Sequence, residues 1–177
     1  IIRSLEEQKF PGRVMLVNPR QKEVFGKPCA PSVSALPEVP DHIGIIVPSA
    51  SIPEVLEDAD RIGVKSATIY AAGIGDGEDP ASKERGVWLK AFLARSKMRI
   101  AGPNCMGAFS YRERLIAYPN MLLGELPPGP VGLVFQSGGT LQFFMQSAAD
   151  RGLRFSYAIS SGNEPDLDLA DYVNFLV

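Results

Sequence analysis

The chain has 177 residues, of which 45% are hydrophobic and 21% are charged, and its formal net charge at pH 7 is −2. This balance offers no basic surface for nucleic acid, and no apolar run approaches the roughly 20 residues that span a bilayer. The two cysteines are too few for a disulfide framework and are not spaced as metal ligands, so we expect a cytoplasmic protein without a metal site.

Apolar runs that are typical of strands alternate along the chain with helical patterns, which predicts an α/β protein with parallel sheets. A capping box at Ser51 and Glu54 marks the start of the first long helix, and Gly63 marks its end. Both ends of the chain have helical patterns, which suggests a fragment of a longer protein. The predicted strands are residues 13–17, 43–47, 66–71, 98–101, 131–135 and 155–160, and the predicted helices are residues 52–62, 81–95, 140–151 and 167–176.

Prolines and glycines cluster in residues 118–130, where the helical and strand periodicities disappear. Such a segment is typical of a linker between domains. We therefore predict one α/β unit over residues 1–127 and the beginning of a second over residues 128–177.

The residues that follow the predicted strands are small and carry little charge. In open α/β sheets, ligands bind beyond the carboxyl ends of the strands. Small residues there favour a flat or extended ligand that lies across backbone groups. The strand ends are Val17-Asn18-Pro19-Arg20, Val47-Pro48-Ser49, Ala72-Gly73 and residues 102–107, which include Asn104 and Cys105.

Each of these residues also has a purely structural interpretation. Proline ends strands because it lacks an N–H, and glycine relieves backbone strain. Arg20 is typical of a solvated surface, and Cys105 is typical of a small buried side chain. The single histidine, His42, precedes a strand and is best explained as a solvent-facing residue at the sheet edge, not as a catalytic one.

A serine-glycine-glycine turn joins the fifth predicted strand to the next helix, at Ser137-Gly138-Gly139-Thr140. Backbone N–H groups at such a junction approach an oxyanion closely, and the helix N-terminus adds partial positive charge. The turn therefore predicts a phosphate or phosphoryl site. A tight turn without a ligand is the alternative that the turn alone leaves open.

Taken in order, these motifs resemble one family. The segments Gly102-Pro103-Asn104-Cys105-Met106-Gly107 and Gln136-Ser137-Gly138-Gly139 are the most specific, and Ser161-Gly162-Asn163-Glu164 follows them. The chain resembles the nucleoside-diphosphate-forming (ADP-forming) acyl-CoA synthetases, relatives of the α chain of succinyl-CoA synthetase. The resemblance implies a Rossmann-like CoA-binding domain over residues 1–127 and the start of a flavodoxin-like ligase domain over residues 128–177.

The resemblance also implies roles for particular residues. The family passes a phosphoryl group from ATP through a phosphohistidine to an acyl phosphate, which CoA then attacks. The Ser137-Gly138-Gly139-Thr140 turn would hold that phosphoryl group. Residues that would line the CoA site are Val17, Asn18, Pro19 and Arg20 at the nucleotide, Val47, Pro48, Ser49, Ala72 and Gly73 along the pantetheine, and Asn104 and Cys105 near the thiol and the reacting centre.

Several parts of the family's machinery are not in this sequence. The glycine-rich loop of the family's first strand, the phosphorylated histidine and the ATP-grasp module that binds ATP or ADP with Mg²⁺ have no counterpart here. We therefore expect the segment alone to be inactive. Its implied partners are CoA, a small carboxylic acid and an ATP-grasp domain or subunit, within a homo- or hetero-oligomer.

Two other functions remain open at this point. One is a non-catalytic CoA-binding or regulatory module, as in relatives fused to an acetyltransferase domain. The other is a dinucleotide-dependent dehydrogenase, although no glycine fingerprint with an acidic residue about 20 positions later follows any predicted strand.

Overall fold

A computed structural model describes residues 1–118 and 127–177. Strands and helices alternate through most of these residues, as the sequence predicts. The helices are α1 (Ile2–Glu7), α2 (Ile52–Arg61), α3 (Pro80–Leu93), α4 (Gly138–Ala149) and α5 (Leu169–Leu176). The strands are β1 (Leu16–Val17), β2 (Glu23–Val24), β3 (Lys27–Ala30), β4 (His42–Ile45), β5 (Ser66–Ile69), β6 (Arg99–Ala101), β7 (Gly107–Ser110), β8 (Leu115–Ala117), β9 (Val131–Phe135) and β10 (Phe155–Ser160).

The first unit is built around a parallel sheet with the strand order β4-β5-β6. Helices α2 and α3 supply apolar side chains to its core, because their buried residues recur at helical spacing. Each fully buried aliphatic or aromatic side chain contributes roughly 1.5–3 kcal/mol to folding by leaving water. The largest of these side chains are Ile52, Leu56, Ile69, Leu89, Phe92 and Ile100.

The second sheet has the strand order β8-β7-β10-β9 and mixes two directions. Strands β9 and β10 run parallel, whereas the β7–β8 hairpin is antiparallel and pairs with β10. Helix α4 covers this sheet with Leu141 and Met145, both almost fully buried. The α/β class is thus confirmed, while the sequence did not predict the hairpin, which precedes the expected domain boundary.

A small third sheet, β1-β3-β2, lies near the N-terminus. Strand β1 covers only the last two residues of the predicted strand 13–17, and it pairs in parallel with β3. Strands β2 and β3 form a hairpin whose two turn residues, Phe25 and Gly26, both have positive φ. A two-residue turn of that kind matches the twist of the strands it joins.

The segment that follows β10 joins the two larger sheets. Its backbone bonds to the loop after β6 in two places: Gly102 N–H donates to Ser161 O at 3.2 Å, and Asn163 N–H donates to Pro103 O at 2.9 Å. Asp166 then accepts from the backbone N–H of Ile100 at 2.6 Å. This segment therefore satisfies the otherwise unpaired edge of β6.

The predicted and observed elements agree best where the apolar pattern is strongest. Strands β9 and β10 are confirmed over their full length, and α2 ends one residue before the prediction. The Ser51 capping box was wrong, because a 3₁₀ turn over Ser49–Ser51 leads into α2 and leaves Ser51 in helical conformation without a side-chain cap bond. Of the predicted linker, residues 119–126 lie outside the described residues.

Candidate functional site

Helix α4 begins at the turn that the sequence marks as an oxyanion site. The Ser137 hydroxyl oxygen caps the helix by accepting from the N–H of Thr140 at 3.3 Å, and the Thr140 hydroxyl also donates to it at 3.1 Å. The N–H groups of Gly138 and Gly139 find no acceptor among the described residues. Two adjacent N–H groups at a helix N-terminus suit a phosphate oxygen.

The two glycines of this turn have different surroundings. A Cβ on Gly138 would lie 2.0 Å from Met106 Cγ and 3.0 Å from Ser160 Oγ, so that position has no room for a side chain. A Cβ on Gly139 would meet nothing within 4 Å among the described residues. Gly138 is therefore required by the packing of the protein itself, whereas Gly139 faces open space.

The buried side chain of Tyr118 holds the turn from the protein interior. Its hydroxyl donates a short hydrogen bond to the carbonyl oxygen of Gly138, and its ring packs edge-on against Phe109 at 5.8 Å. Burial, with a smaller effect of Cys105, raises the pKa of Tyr118 to about 12, so the phenol keeps its proton at neutral pH. The peptide group between Gly138 and Gly139 is thus held through its carbonyl oxygen, while its N–H, which belongs to Gly139, has no acceptor among the described residues.

The loop after β6 brings Asn104 and Cys105 close to this turn. Asn104 has a φ of +57° and donates its backbone N–H to Ala71 O at 3.0 Å. Its side-chain amide lies 3.5 Å from the Asn163 Oδ1 atom. Met106 then bonds through its backbone N–H to Ser160 Oγ at 3.2 Å and packs against Gly138.

Cys105 is buried, with 3% of its surface exposed, and its thiol points to the carbonyl oxygen of Ile69 at 3.4 Å. Burial is the main cause that raises its pKa to about 11. A thiol with a raised pKa is a poor nucleophile, because little thiolate forms at neutral pH. The surroundings therefore favour the structural interpretation of Cys105.

The chain bends sharply after β5, at Gly73, whose φ is +87°. The Asp76 carboxylate accepts from the backbone N–H groups of Gly73 and Ile74, at 2.7 and 2.8 Å. On the other side of the bend, Arg85 of α3 donates from Nε to the carbonyl oxygen of Gly73 at 2.7 Å. Both polar groups of Gly73 are thus satisfied by side chains.

Asp76 also faces the second sheet, through Asn163. Burial by itself would raise the pKa of Asp76, but the side-chain amide of Asn163 and the hydrogen bonds from the N–H groups of Gly73 and Ile74 outweigh it and lower that pKa. The Asn163 Nδ2 atom itself is buried and meets no acceptor with strict hydrogen-bond geometry among the described residues. The bend at Gly73 and the segment after β10 therefore share one polar environment.

The remaining predicted CoA residues lie at two places. Val47 packs against the hydrophobic core of the β4-β5-β6 sheet, and Pro48 precedes the 3₁₀ turn over Ser49–Ser51. The Oγ atom of Ser49 would lie 3.2 Å from a Cβ on Gly73. Residues 17–20 are held elsewhere, since Asn18 donates to Ala30 O at 2.9 Å and its side chain accepts from the N–H of Arg20. The structure thus links Ser49, Gly73, Asn104, Cys105 and the α4 turn, and it gives Val17, Asn18, Pro19 and Arg20 no described contact with them.

His42 lies on strand β4 at the edge of its sheet, as expected, and the residue is exposed. Its ring nitrogens lie within hydrogen-bond distance of two hydroxyl oxygens, Ser66 Oγ at 2.9 Å and Thr68 Oγ1 at 3.1 Å. The protein packed around the ring lowers its pKa. This environment explains His42 without a catalytic role.

Sequence reasoning missed Asp76 and Arg85, and it assigned no role to Asn163. The glycine-rich segment around Asp76 signals a turn held by a carboxylate, which is a common use of aspartate. Nothing in the helical pattern of α3 distinguishes Arg85 from the neighbouring charged residues. Its position follows from the close packing of Gly75 against Gly86, where a Cβ on Gly86 would lie 2.7 Å from Gly75 Cα.

Neither a membrane-spanning helix nor a metal-binding cluster is found in the described part of the chain. Within residues 1–118 and 127–177, no helix has the length and apolar character needed to cross a membrane. The same residues contain no group of three or more histidine, cysteine, aspartate or glutamate side chains that would hold a metal ion.

Two family models match the chain in sequence. Residues 1–110 match the CoA binding domain, and residues 128–177 match the succinyl-CoA ligase like flavodoxin domain. The ends of the two matches fall on either side of residues 111–127. The first match alone covers more than half of the chain.

Two curated relatives are ADP-forming acetate–CoA ligases. The ADP-forming acetate–CoA ligase I of Archaeoglobus fulgidus is 31% identical over 170 residues, which are 96% of this chain and 24% of that protein. The α subunit of the ADP-forming acetate–CoA ligase II of Pyrococcus furiosus is 32% identical over 177 residues, which are 99% of this chain and 37% of that subunit. The chain thus spans well under half of the length of either relative.

A solved structure shows the same fold. The acetyl-coenzyme A synthetase 1 of Candidatus Korarchaeum cryptofilum, in complex with phosphate and ADP, superimposes with a TM-score of 0.85 at 30% identity, covering 99% of this chain and 37% of that one. Because these relatives are ligases, the acetyltransferase-type alternative is not favoured. The chain belongs to the ADP-forming acyl-CoA synthetase family, with matches to both its CoA binding domain and its succinyl-CoA ligase like flavodoxin domain.

Proposed function

We propose that the protein containing this chain joins a carboxylic acid to CoA in an ATP-dependent reaction. The acid, CoA and ATP give an acyl-CoA thioester, ADP and inorganic phosphate. The observation that carries the proposal is the pair of N–H groups at Gly138 and Gly139, which have no acceptor in the described part of the chain and lie next to the loop that holds Asn104. These groups would stabilise a phosphoryl oxyanion beside the place where the thiol of CoA arrives.

In the proposed site, the first unit binds CoA and the second unit binds the phosphoryl group. Ser49, Ala72 and Gly73 are small and present backbone atoms, which suits the thin pantetheine arm of CoA. Asn104 would orient the reacting end through its amide, while Cys105 fills space below it. The α4 turn would hold the phosphoryl group through backbone N–H groups and the helix dipole, which need no reorganisation during the reaction.

Other parts of the reaction belong outside residues 1–177. We place the phosphorylated histidine, and the ATP-grasp module that binds ATP or ADP with Mg²⁺, elsewhere in the same polypeptide or in a partner subunit. We also propose that the CoA-binding domain ends at residue 127 and that the ligase domain begins at residue 128. Val17, Asn18, Pro19 and Arg20 would contact the nucleotide portion of CoA.

Phosphoryl transfer provides the direct test. The natural polypeptide that contains residues 1–177, with its partner subunit if it has one, is incubated with ATP labelled in the γ-phosphate. We expect a labelled histidine, and release of the label when CoA and the acid are added. Absence of histidine labelling under conditions where ATP binds would contradict the proposal.

Gly139→Ala tests the α4 turn within that assay. The new methyl group enters the space that a phosphoryl oxygen would use, so we expect a loss of at least about tenfold in acyl-CoA formation with an unchanged fold. Gln146→Ala changes an exposed residue two turns further along the same helix and is the matched control. Equal activities of the two variants would exclude the turn from the reaction.

A further inference from the structure

A half-buried arginine without a carboxylate partner lies at the bend after β5. Arg85 uses its Nε atom to hold the carbonyl oxygen of Gly73, at 2.7 Å. Its two terminal nitrogens make no hydrogen bond to a described residue, and no described carboxylate lies within the 4.0 Å of an ion pair. A guanidinium that is partly removed from water has a strong tendency to bind an anion.

A second polar group points to the same space. An ideal Cβ on Gly73 would lie 3.7 Å from Arg85 Nη2 and 3.2 Å from Ser49 Oγ. The Ser49 hydroxyl, like the terminal nitrogens of Arg85, has no hydrogen-bond partner among the described residues. A charged donor and a neutral donor therefore flank the room that glycine leaves open.

Asp76, the carboxylate nearest in sequence to Gly73, does not form an ion pair with Arg85. Asp76 lies three residues further along, and its Oδ1 atom accepts from the N–H groups of Gly73 and Ile74. Two acidic side chains just before α3 are also engaged, since Glu78 pairs with Lys83 and Asp79 caps the helix. The charge of Arg85 is left for a ligand.

We propose that Arg85, Ser49 and the bend at Gly73 form an oxyanion subsite that binds a phosphate group of CoA. This inference rests on the proposed function, because it places CoA across these strand ends. The anionic groups of CoA are its phosphates, and the planar guanidinium fork fits phosphate oxygens in a bidentate manner. Arg85 thus selects phosphorylated over unphosphorylated forms of the pantetheine arm.

A series of four ligands tests the assignment by calorimetry on the natural polypeptide. CoA, dephospho-CoA, phosphopantetheine and pantetheine differ by the removal of one phosphate-bearing part at each step. In the unaltered protein we expect one of these steps to weaken binding by at least about tenfold. In Arg85→Gln the same removal weakens binding by less than about threefold, while the affinity for pantetheine is retained.

Two further variants separate charge from the support of Gly73. Arg85→Lys keeps the charge but loses both the bond from Nε and the bidentate fork, so the loss of affinity on removing the phosphate lies between those of the unaltered protein and Arg85→Gln. Ser49→Ala leaves Arg85 on Gly73 untouched and reduces the same step by about threefold. Lys83→Gln removes an equal charge from an exposed position of α3 and is the control, with all four affinities unchanged.

The results distinguish this inference from the proposed function. If Arg85→Gln lowers the affinity for all four ligands by the same factor, the arginine has only a structural role and the subsite is overturned. An unchanged series in Arg85→Gln overturns it as well. If the unaltered protein binds none of the four ligands, the proposed function fails together with the subsite.

Discussion

The bend at Gly73 and the turn at the start of α4 are both glycine-containing junctions after a parallel strand, yet they use their backbone differently. At the bend, the Gly73 N–H is accepted by Asp76 and its carbonyl oxygen is held by Arg85. At the turn, the N–H groups of Gly138 and Gly139 have no described acceptor. The difference separates a site that would bind through side chains from one that would bind through the backbone.

This difference has a physical cause in the residues around each junction. Aspartate three residues after Gly73 reaches back to the N–H groups and satisfies them, as aspartate does in many turns. At the α4 turn the side chain of Ser137 is used on the N–H of Thr140, which is the third N–H of the helix. Capping at that position leaves the first two N–H groups available.

The largest expected effect follows from the packing of Gly138. In Gly138→Ala the new Cβ would lie 2.0 Å from Met106 Cγ, so either Met106 or the helix must move. Overpacking of this kind lowers the free energy of unfolding by about 1–3 kcal/mol. Urea denaturation of the natural polypeptide measures it.

Gly139→Ala is the matched control, because it is the same change one residue further along the same helix. Its Cβ meets no described atom within 4 Å, so the free energy of unfolding stays within about 0.5 kcal/mol of the original. If the two variants were equally stable, the contrast between a structural and a ligand-facing glycine would be wrong.

Sequence patterns located most of the regular elements but not how they assemble. Apolar periodicity gave β9, β10 and α2 nearly to the residue, because those elements are covered on their buried faces. It missed the β2–β3 and β7–β8 hairpins, whose strands are two to four residues long and too short to show a period. Pairing of β7 with β10 is a tertiary contact over about fifty residues, which no local pattern encodes.

The candidate site was predictable where backbone chemistry determines it. The serine-glycine-glycine motif and the strand-end rule led to Gly139 and Gly73 from sequence. Arg85 and Asn163 were not found, because their importance depends on which loops meet in space. Family resemblance supplied the roles of Asn104 and Cys105, and their contribution to CoA binding stays a prediction.

Asp76→Ala tests the satisfied junction and has the next largest effect. Removing the carboxylate leaves two N–H groups without an acceptor, and we expect the free energy of unfolding to fall by about 1–2 kcal/mol at pH 7. The folded state lowers the pKa of Asp76 below its ordinary 3.8. Its contribution is therefore present above that pH and is lost as the pH falls through the folded-state pKa.

The pH series of urea denaturation distinguishes this effect from a general loss of charge. The original protein and Asp76→Ala should approach equal stability only in acid, below the ordinary carboxyl pKa. Asp41→Ala removes an exposed carboxylate that pairs with Lys65 at 3.3 Å, and we expect no measurable change at any pH. A gap between Asp76→Ala and the original protein that persists unchanged in acid would contradict the role of the ionised form.

The smallest effect concerns the cap that keeps the α4 turn open. Ser137→Ala removes the acceptor for the N–H of Thr140, and we expect the free energy of unfolding to fall by about 0.5–1 kcal/mol. Ser51→Ala is the control at the start of α2, where the serine makes no cap bond and its loss should leave stability unchanged. Because Ser137→Ala frees a third N–H without filling the space over Gly139, it should retain far more phosphoryl transfer than Gly139→Ala. The opposite order of activities would mean that the serine hydroxyl, and not the backbone, contacts the phosphoryl group.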